Sequence, residues 1–319
     1  MEECLVRLFL RTIRDTIALL SAVSIGKSNN YVRPEDMGNL SSNTVFWRVS
    51  VGDKDSWMLG TIHAGRWRGV ELPSLIAEVL QSSDVVFTES AVEASEQASM
   101  IAKTLLPQGA RLQELIGKER FDVLLELVRQ LRIPVAAEII DRHDLWFAIL
   151  LLSTPPAVDS AEAPLDLVLH EMAASSGKPI RHLENPEEHM SVLGRFTFEE
   201  SLAILDETMD ALRNDGPVFF RNLLELYGEG RISEIVKLMD CRHSTKLRRK
   251  FRSIMLHERN ELFADRLLPY FEKGGVFASF GAAHLPGVKG VVGLLRRKGL
   301  AVKPVRIEMP SITGEAARE

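Results

Sequence analysis

Apolar positions along this chain alternate between a rhythm of two and a rhythm near 3.6, so strands and helices can be read in turn. Two β-type runs come first, Val45–Ser50 and Trp57–Ile62, and the turn Gly52-Asp53-Lys54-Asp55 between them predicts a hairpin. Pro73 to Ser82 has helical spacing with proline in its first turn. Val85–Thr88, short and β-branched, predicts a buried parallel strand. Residues 91–152 predict helices broken near Pro107-Gln108-Gly109 and Ile133-Pro134, and Thr154-Pro155-Pro156 ends that block. Pro164–Ser175 predicts a helix stopped by Gly177, with a strand over Pro179–Leu183 after it. Residues 186–272 predict helices again, with breaks at Gly216-Pro217 and Gly228-Glu229-Gly230. Val276–Phe280, flanked by Gly274-Gly275 and Gly281, predicts a buried strand. Val288–Lys298 predicts a helix closed by Gly299, and Val302–Ile307 the last strand. Strand–helix–strand units at both ends of a long helical middle predict an α/β fold on a mostly parallel central sheet. No repeat of roughly 20–50 residues is present, which excludes a solenoid.

The ends of the chain read differently. Ile17–Ile25 is an apolar run behind Arg7, Arg11 and Arg14, too short for the ~20 residues that span a bilayer. No other stretch is a clear transmembrane segment. Glu2, Glu3 and Asp15 interrupt the basic start that a secretory signal needs, and no A-x-A site follows. Lys27–Asn43 is polar and turn-rich, so 1–43 reads as leader and linker, 44–310 as one domain, and 311–319 as a flexible tail. Composition narrows the chemistry. The 319 residues carry 39 Lys+Arg against 44 Asp+Glu, a net charge of -5, which argues against nucleic acid as a partner. Cys4 and Cys241 cannot build a disulfide framework or a four-cysteine zinc site, so any metal must use histidine and carboxylate ligands.

Two short motifs use that pool. Gly60-Thr61-Ile62-His63 and Gly281-Ala282-Ala283-His284 share the form G-x-x-H, each glycine directly following an apolar strand. Each histidine precedes a segment expected to open a helix with proline, Pro73 or Pro286. Glu89 ends the strand Val85–Thr88 and Glu184 the strand before it, so in a parallel sheet His63, Glu89, Glu184 and His284 share one edge. That is the edge where open α/β sheets bind ligands. Two imidazoles and one or two carboxylates suit a divalent first-row metal, the remaining carboxylate orienting a water or acting as general base. Taken singly, each residue reads more readily as a polar group ending a strand; jointly, the pattern favours a site. His143, His170, His182, His189, His243 and His257 have no comparable setting. His170-Glu171 and His257-Glu258 lack the second histidine of H-E-x-x-H, and neither G-x-S-x-G nor a P-loop occurs. Gly281–Gly293 with Glu308 has the outline of a dinucleotide turn but lacks G-x-G. Arg242–Arg252, with six Lys/Arg in eleven residues, predicts a solvated helix face first and a surface for an acidic partner or phosphate second. Trp67 and Arg68 either line a substrate mouth or pack on the core.

Taken together, these stretches resemble the TraB/GumN family, related to the animal Tiki proteins and more distantly to erythromycin-esterase-like proteins. The matching residues are Phe46-Trp47-Arg48-Val49, Leu59 to His63, Leu72-Pro73, Val85 to Glu89, Leu165-Asp166, Gly177-Lys178-Pro179 and Leu183-Glu184. They continue with Glu258-Arg259-Asn260, Gly281 to Leu285, Gly287, Gly290-Val291-Val292 and Leu294-Leu295-Arg296 to Gly299. The resemblance implies an α/β fold with the paired histidines at a metal centre. Tiki-type members are described as divalent-metal-dependent proteases, so it implies a divalent metal ion, manganese or cobalt before zinc. Carried over residue by residue, His63, Glu89 and His284 are the implied metal ligands. The implied catalytic residues are Glu184, assisting the water, Arg259, holding an oxyanion or substrate carboxylate, and Asn260 beside it. The function expected is that of a peptidase or amidohydrolase acting on a peptide or small amide. The alternatives are a non-catalytic regulatory or binding protein of the same fold, and a metal-independent esterase-like hydrolase with His63 as general base. The family implies an exported or periplasmic protein, although the leader supplies no clear signal peptide. Oligomeric state is left open.

Overall fold

A computed structural model describes residues 44–52, 54–62, 67, 69–91, 94–153, 163–238 and 245–310. His63, Arg68, the Thr154-Pro155-Pro156 break and both cysteines lie outside the described residues. Six strands form one sheet in the order β4-β3-β5-β2-β1-β6. They are β1 (Phe46–Val51), β2 (Lys54–Thr61), β3 (Val85–Thr88), β4 (Ile180–His182), β5 (Val276–Gly281) and β6 (Ala301–Val305). β4, β3, β5 and β2 run parallel, and β1 lies antiparallel to both β2 and β6. The expected α/β fold on a mostly parallel sheet is the observed one.

Alternation along the strands divides the core in two, because successive side chains point to opposite faces. Phe46, Leu59, Val86 and Phe277 enter one apolar cluster, while Trp47, Met58, Phe87, Ala278 and Phe280 enter the other. The larger cluster is covered by α1 (Ser74–Ser82), α4 (Lys118–Gln130), α6 (Leu145–Leu152), α7 (Leu165–Ser175) and α9 (Phe198–Gly228). The smaller is covered by α12 (Glu258–Phe271) and α13 (Val291–Arg297). Short helices α2 (Ala94–Lys103), α3 (Leu112–Ile116), α5 (Ala137–Ile140), α8 (Pro186–Leu193), α10 (Ile232–Leu238) and α11 (Thr245–Arg252) complete the set. All eight residues of α6 are buried, and among the described residues no helix is long and apolar enough to cross a membrane.

Several expected boundaries move, each for a physical reason. The hairpin extends past its apolar run, since Lys54 and Asp55 still pair with Val51 and Ser50, and the Ser50 hydroxyl donates to Asp55. No break occurs at Gly216-Pro217: α9 continues through it for 31 residues. A capping box of Thr197 and Glu200 starts that helix, and Leu205, Met209 and Leu212 before the Gly-Pro pair are buried with Phe219, Phe220 and Leu223 after it. Apolar burial on both sides outweighs the lost backbone bond. Pro286 does not open the last helix, which starts at Val291 rather than Val288. Gly290 is its N-cap, and a side chain there would collide with the Leu285 and Pro286 carbonyls. The described part of the basic segment forms α11 with Leu247 and Phe251 buried and Lys246 and Arg249 exposed; Lys250 pairs with Glu200.

One glycine contact joins two segments far apart in the sequence. A Cβ on Gly60 would stand 2.5 Å from Leu285 Cδ1 and 2.9 Å from Ala282 Cα. Gly60→Ala is therefore expected to destabilise the protein by ~1–3 kcal/mol through overpacking. Gly228→Ala, with nothing within 4 Å of the added carbon, should leave stability unchanged or raise it by up to ~1 kcal/mol. Urea denaturation of the two variants beside wild type measures the contrast.

Candidate functional site

Four parallel strands end at the same edge. Thr61 of β2 pairs in register with Gly281 of β5, Thr88 of β3 with Ser279 of β5, and His182 of β4 with Thr88. The residues immediately beyond include the expected Glu89, Glu184 and His284. The Glu184 N–H donates to the Glu89 carbonyl at 3.0 Å, so the pairing continues past the ends of β3 and β4 and sets their side chains together. After β5, Ala282–His284 makes a single 3-10 turn that seats His284 in the interior with 0% exposure. Because Gly60 has no side chain, this turn rests directly on the first motif.

Arg259 organises the cluster. It follows a π-helical turn, Ser253–His257, of the kind that frequently marks functional sites, and it stands in the first turn of α12 with 3% exposure. All five N–H groups of its guanidinium are used. Nε donates to Glu184 Oε2 at 3.0 Å, and Nη2 donates to Glu184 Oε1 at 2.5 Å and to Glu89 Oε1 at 2.6 Å. Nη1 donates to the Met255 carbonyl of the π turn at 3.2 Å and faces His284 Nε2 at 3.3 Å. Phe263, one turn further along α12, lies under both the guanidinium and the His284 ring. None of the five donors is left over for an oxyanion in this arrangement; the guanidinium binds the two carboxylates instead.

Asn260 fixes the imidazole. Its amide nitrogen donates to the Lys289 carbonyl at 2.8 Å, so its oxygen accepts from His284 Nδ1 at 2.5 Å. His284 therefore carries its proton on Nδ1 and keeps Nε2 as an acceptor, which Arg259 Nη1 faces. Nε2 stands 3.8 Å from Glu89 Oε1, whose other oxygen accepts from the Gly281 N–H at 2.6 Å. Burial alone would raise the Glu184 pKa, but the Arg259 charge and then His189 outweigh it and hold the carboxyl well below its usual range. Burial opposes the Arg259 charge as well, and Glu184 and Glu89 outweigh it, so the guanidinium stays protonated.

By type, an imidazole and carboxylates are donors that a divalent first-row metal uses. The cluster sets an oriented imidazole beside a carboxylate, with two formal negative charges against one positive in a buried setting. Among the described residues no three His, Cys, Asp or Glu side chains stand close enough to hold an ion. The third expected ligand, His63, lies outside them.

The structure brings Glu89, Glu184, Arg259, Asn260 and His284 into one cluster and adds residues that the sequence reading passed over. His189, read there as lacking any special setting, is 1% exposed with Nδ1 2.5 Å from Glu184 Oε1. Its spacing of five from Glu184 matches no motif and becomes meaningful only once α8 folds back. Thr61 donates to Asp166 at 2.5 Å, and the buried Tyr227 hydroxyl donates to the Gly60 carbonyl at 2.7 Å. Burial, with a contribution from Asp166, pushes the Tyr227 pKa well above its usual value, so it stays a donor. Leu165-Asp166 was visible as a matching stretch, whereas Tyr227, at the end of α9, gave no signal. Trp67 is fully buried edge-on to Tyr227, which makes it core rather than the wall of a mouth.

With the fold and the cluster described, the comparison by sequence places the chain among known proteins. The profile of the TraB/PrgY/gumN family matches residues 45–304, and the chain belongs to that family. It is 23% identical over 248 residues to the uncharacterized protein YbaP of Shigella flexneri, covering 77% of this chain and 89% of that one. It is 24% identical over 345 residues to metalloprotease TIKI1 of Homo sapiens, covering 92% and 67%. To metalloprotease TIKI2 of Danio rerio it is 24% identical over 316 residues, covering 83% and 61%. No solved structure matches.

The cluster makes a pH-dependent prediction. Glu184 is depressed below its ordinary value of 4.5, so its stabilising contribution is complete above that value and is lost as pH falls through the folded one. Arg259→Met leaves two buried carboxyl groups facing each other and should cost ~3–5 kcal/mol at pH 7. Below about pH 5 the variant can protonate a carboxyl, and its gap from wild type should narrow. Urea midpoints at pH 7 and pH 4.5 read the difference; a gap that stays constant or widens contradicts it.

Proposed function

We propose that this chain is a divalent-metal-dependent hydrolase acting on peptide or small amide bonds. The observation that carries the reading is the buried His284, turned by Asn260 so that its Nε2 lone pair faces the Glu89 carboxylate. Similarity to the Tiki metalloproteases supports it. His63, Glu89 and His284 are the residues that would hold the ion, with manganese or cobalt ahead of zinc. A bound divalent ion lowers the pKa of water toward ~7 and polarises a carbonyl. The protein's own residues do the rest. Asn260 fixes the tautomer and plane of His284, and Arg259 holds Glu89 and Glu184 at a set separation. Glu184, kept ionised, completes the anionic face that orients a water.

One observation favours a second reading, a regulatory or binding protein of the same fold. Arg259 Nη1 faces His284 Nε2 itself, so a guanidinium N–H can satisfy the lone pair that an ion would otherwise take.

Metal analysis and Mn(II) titration calorimetry on purified protein, with turnover of a mixed peptide library, separate the two. The hydrolase reading expects about one ion per chain, loss of that ion in His63→Ala and His284→Ala, and activity abolished by chelator and restored by manganese. Asn260→Ala should weaken metal affinity by ~10–100-fold. Activity that survives complete chelation, or no ion uptake and no turnover by wild type, rules the reading out.

A further inference from the structure

The motifs leave one member of the buried cluster unaccounted for. His189 lies in the middle of α8 (Pro186–Leu193), and that helix is anchored at its first turn. A capping box ties Asn185 to Glu188, and Arg266 holds Glu188 in a two-pronged pair while donating to the Leu183 carbonyl. The chain is therefore fixed on both sides of Glu184, and His189 returns to that same carboxylate. Its Nδ1 stands 2.5 Å from Glu184 Oε1, the oxygen that also accepts from Arg259 Nη2. A carboxylate already paired with a guanidinium can only accept, so Nδ1 carries the hydrogen. The other ring nitrogen, Nε2, is buried and has no hydrogen-bond partner among the described residues. Leaving a buried polar atom unmatched is unfavourable, and the imidazole's useful contact with the cluster is the single N–H on Nδ1.

We propose that His189 is a positioning residue that acts through Glu184. Its N–H fixes the carboxylate plane, and the carboxylate in turn holds the guanidinium where one nitrogen, Nη2, reaches Glu89 while Nη1 reaches His284. The proposal builds on the reading of Glu89 and His284 as ion-holding residues. It carries a specific chemical consequence. Because only a neutral donor is required, a side-chain amide replaces the imidazole, and an apolar side chain of similar volume does not.

The test compares His189→Leu and His189→Gln in the full chain, alone and on a Glu184→Gln background, by Mn(II) titration calorimetry across pH. His189→Leu should weaken Mn(II) binding by about tenfold, and His189→Gln should stay within roughly threefold of wild type with an unshifted pH profile. On the Glu184→Gln background, adding His189→Leu should change affinity no further, because the residue acts through that carboxylate. Leucine binding as tightly as wild type, glutamine as weak as leucine, or an undiminished leucine effect without Glu184 would each overturn the proposal. A second measurement covers a leucine variant that fails to fold and a wild type that takes up no ion, the latter sinking the hydrolase reading by itself. Long-range proton–nitrogen NMR of the metal-free wild type should show the His189 hydrogen on Nδ1, with that signal moving in Glu184→Gln. A ring protonated on Nε2 alone, or one insensitive to Glu184, refutes the positioning role.

Discussion

A single buried guanidinium holds the carboxyl-terminal edge of the parallel strands together. Arg259 spends each of its five N–H groups on a different lone pair: three on two glutamates, one on a histidine and one on a backbone carbonyl. The two glutamates arrive from separate strands and the histidine from a third, so the arginine ties together residues from both halves of the sequence. Its planar fork suits this task in a way that a lysine's single point of charge would not. Buried ion pairs contribute little net stability in general, because desolvation offsets attraction. Their value here is geometric: with every donor and most acceptors committed, the arrangement has few alternatives of similar energy.

Backbone design supports that constraint. Parallel pairing aligns the strand ends, and the missing side chain at Gly60 lets the Ala282–His284 turn press against β2. The π turn before α12 supplies the Met255 carbonyl that receives the last guanidinium hydrogen. Tyr227 and Asp166, from distant helices, pin the two residues at the end of β2. The cluster is thus held from beneath by the sheet and from the side by both helical layers.

Much of this was legible beforehand where local rules dominate. β3 matched its expected span because four apolar or β-branched residues between a helix and an acidic residue leave little choice. Glu89, Glu184 and His284 were expected on one edge because each follows a strand, and parallel pairing brings them there. Longer-range physics hid the rest. Gly216-Pro217 reads as a break until the flanking apolar faces find their cores. Pro286 reads as a helix start until the Gly290 turn is seen. The guanidinium's full commitment, like the return of His189 to Glu184, depends on contacts between segments that no spacing rule connects.

The order of strands has a consequence for how the molecule forms. β1 and β2 are neighbours in sequence and can pair early, but β2 and β5 meet across nearly the whole domain, with Ser56 and Val276 bonded over a separation of 220 residues. Loop-closure entropy must be overcome before that pairing is rewarded, so such contacts form late on the way to the native state. The edge that gathers Glu89, Glu184 and His284 is complete only when β5 docks between β2 and β3. A chain still emerging from the ribosome therefore exposes a half-made sheet, and the charged cluster closes only with the last fifth of the protein in place.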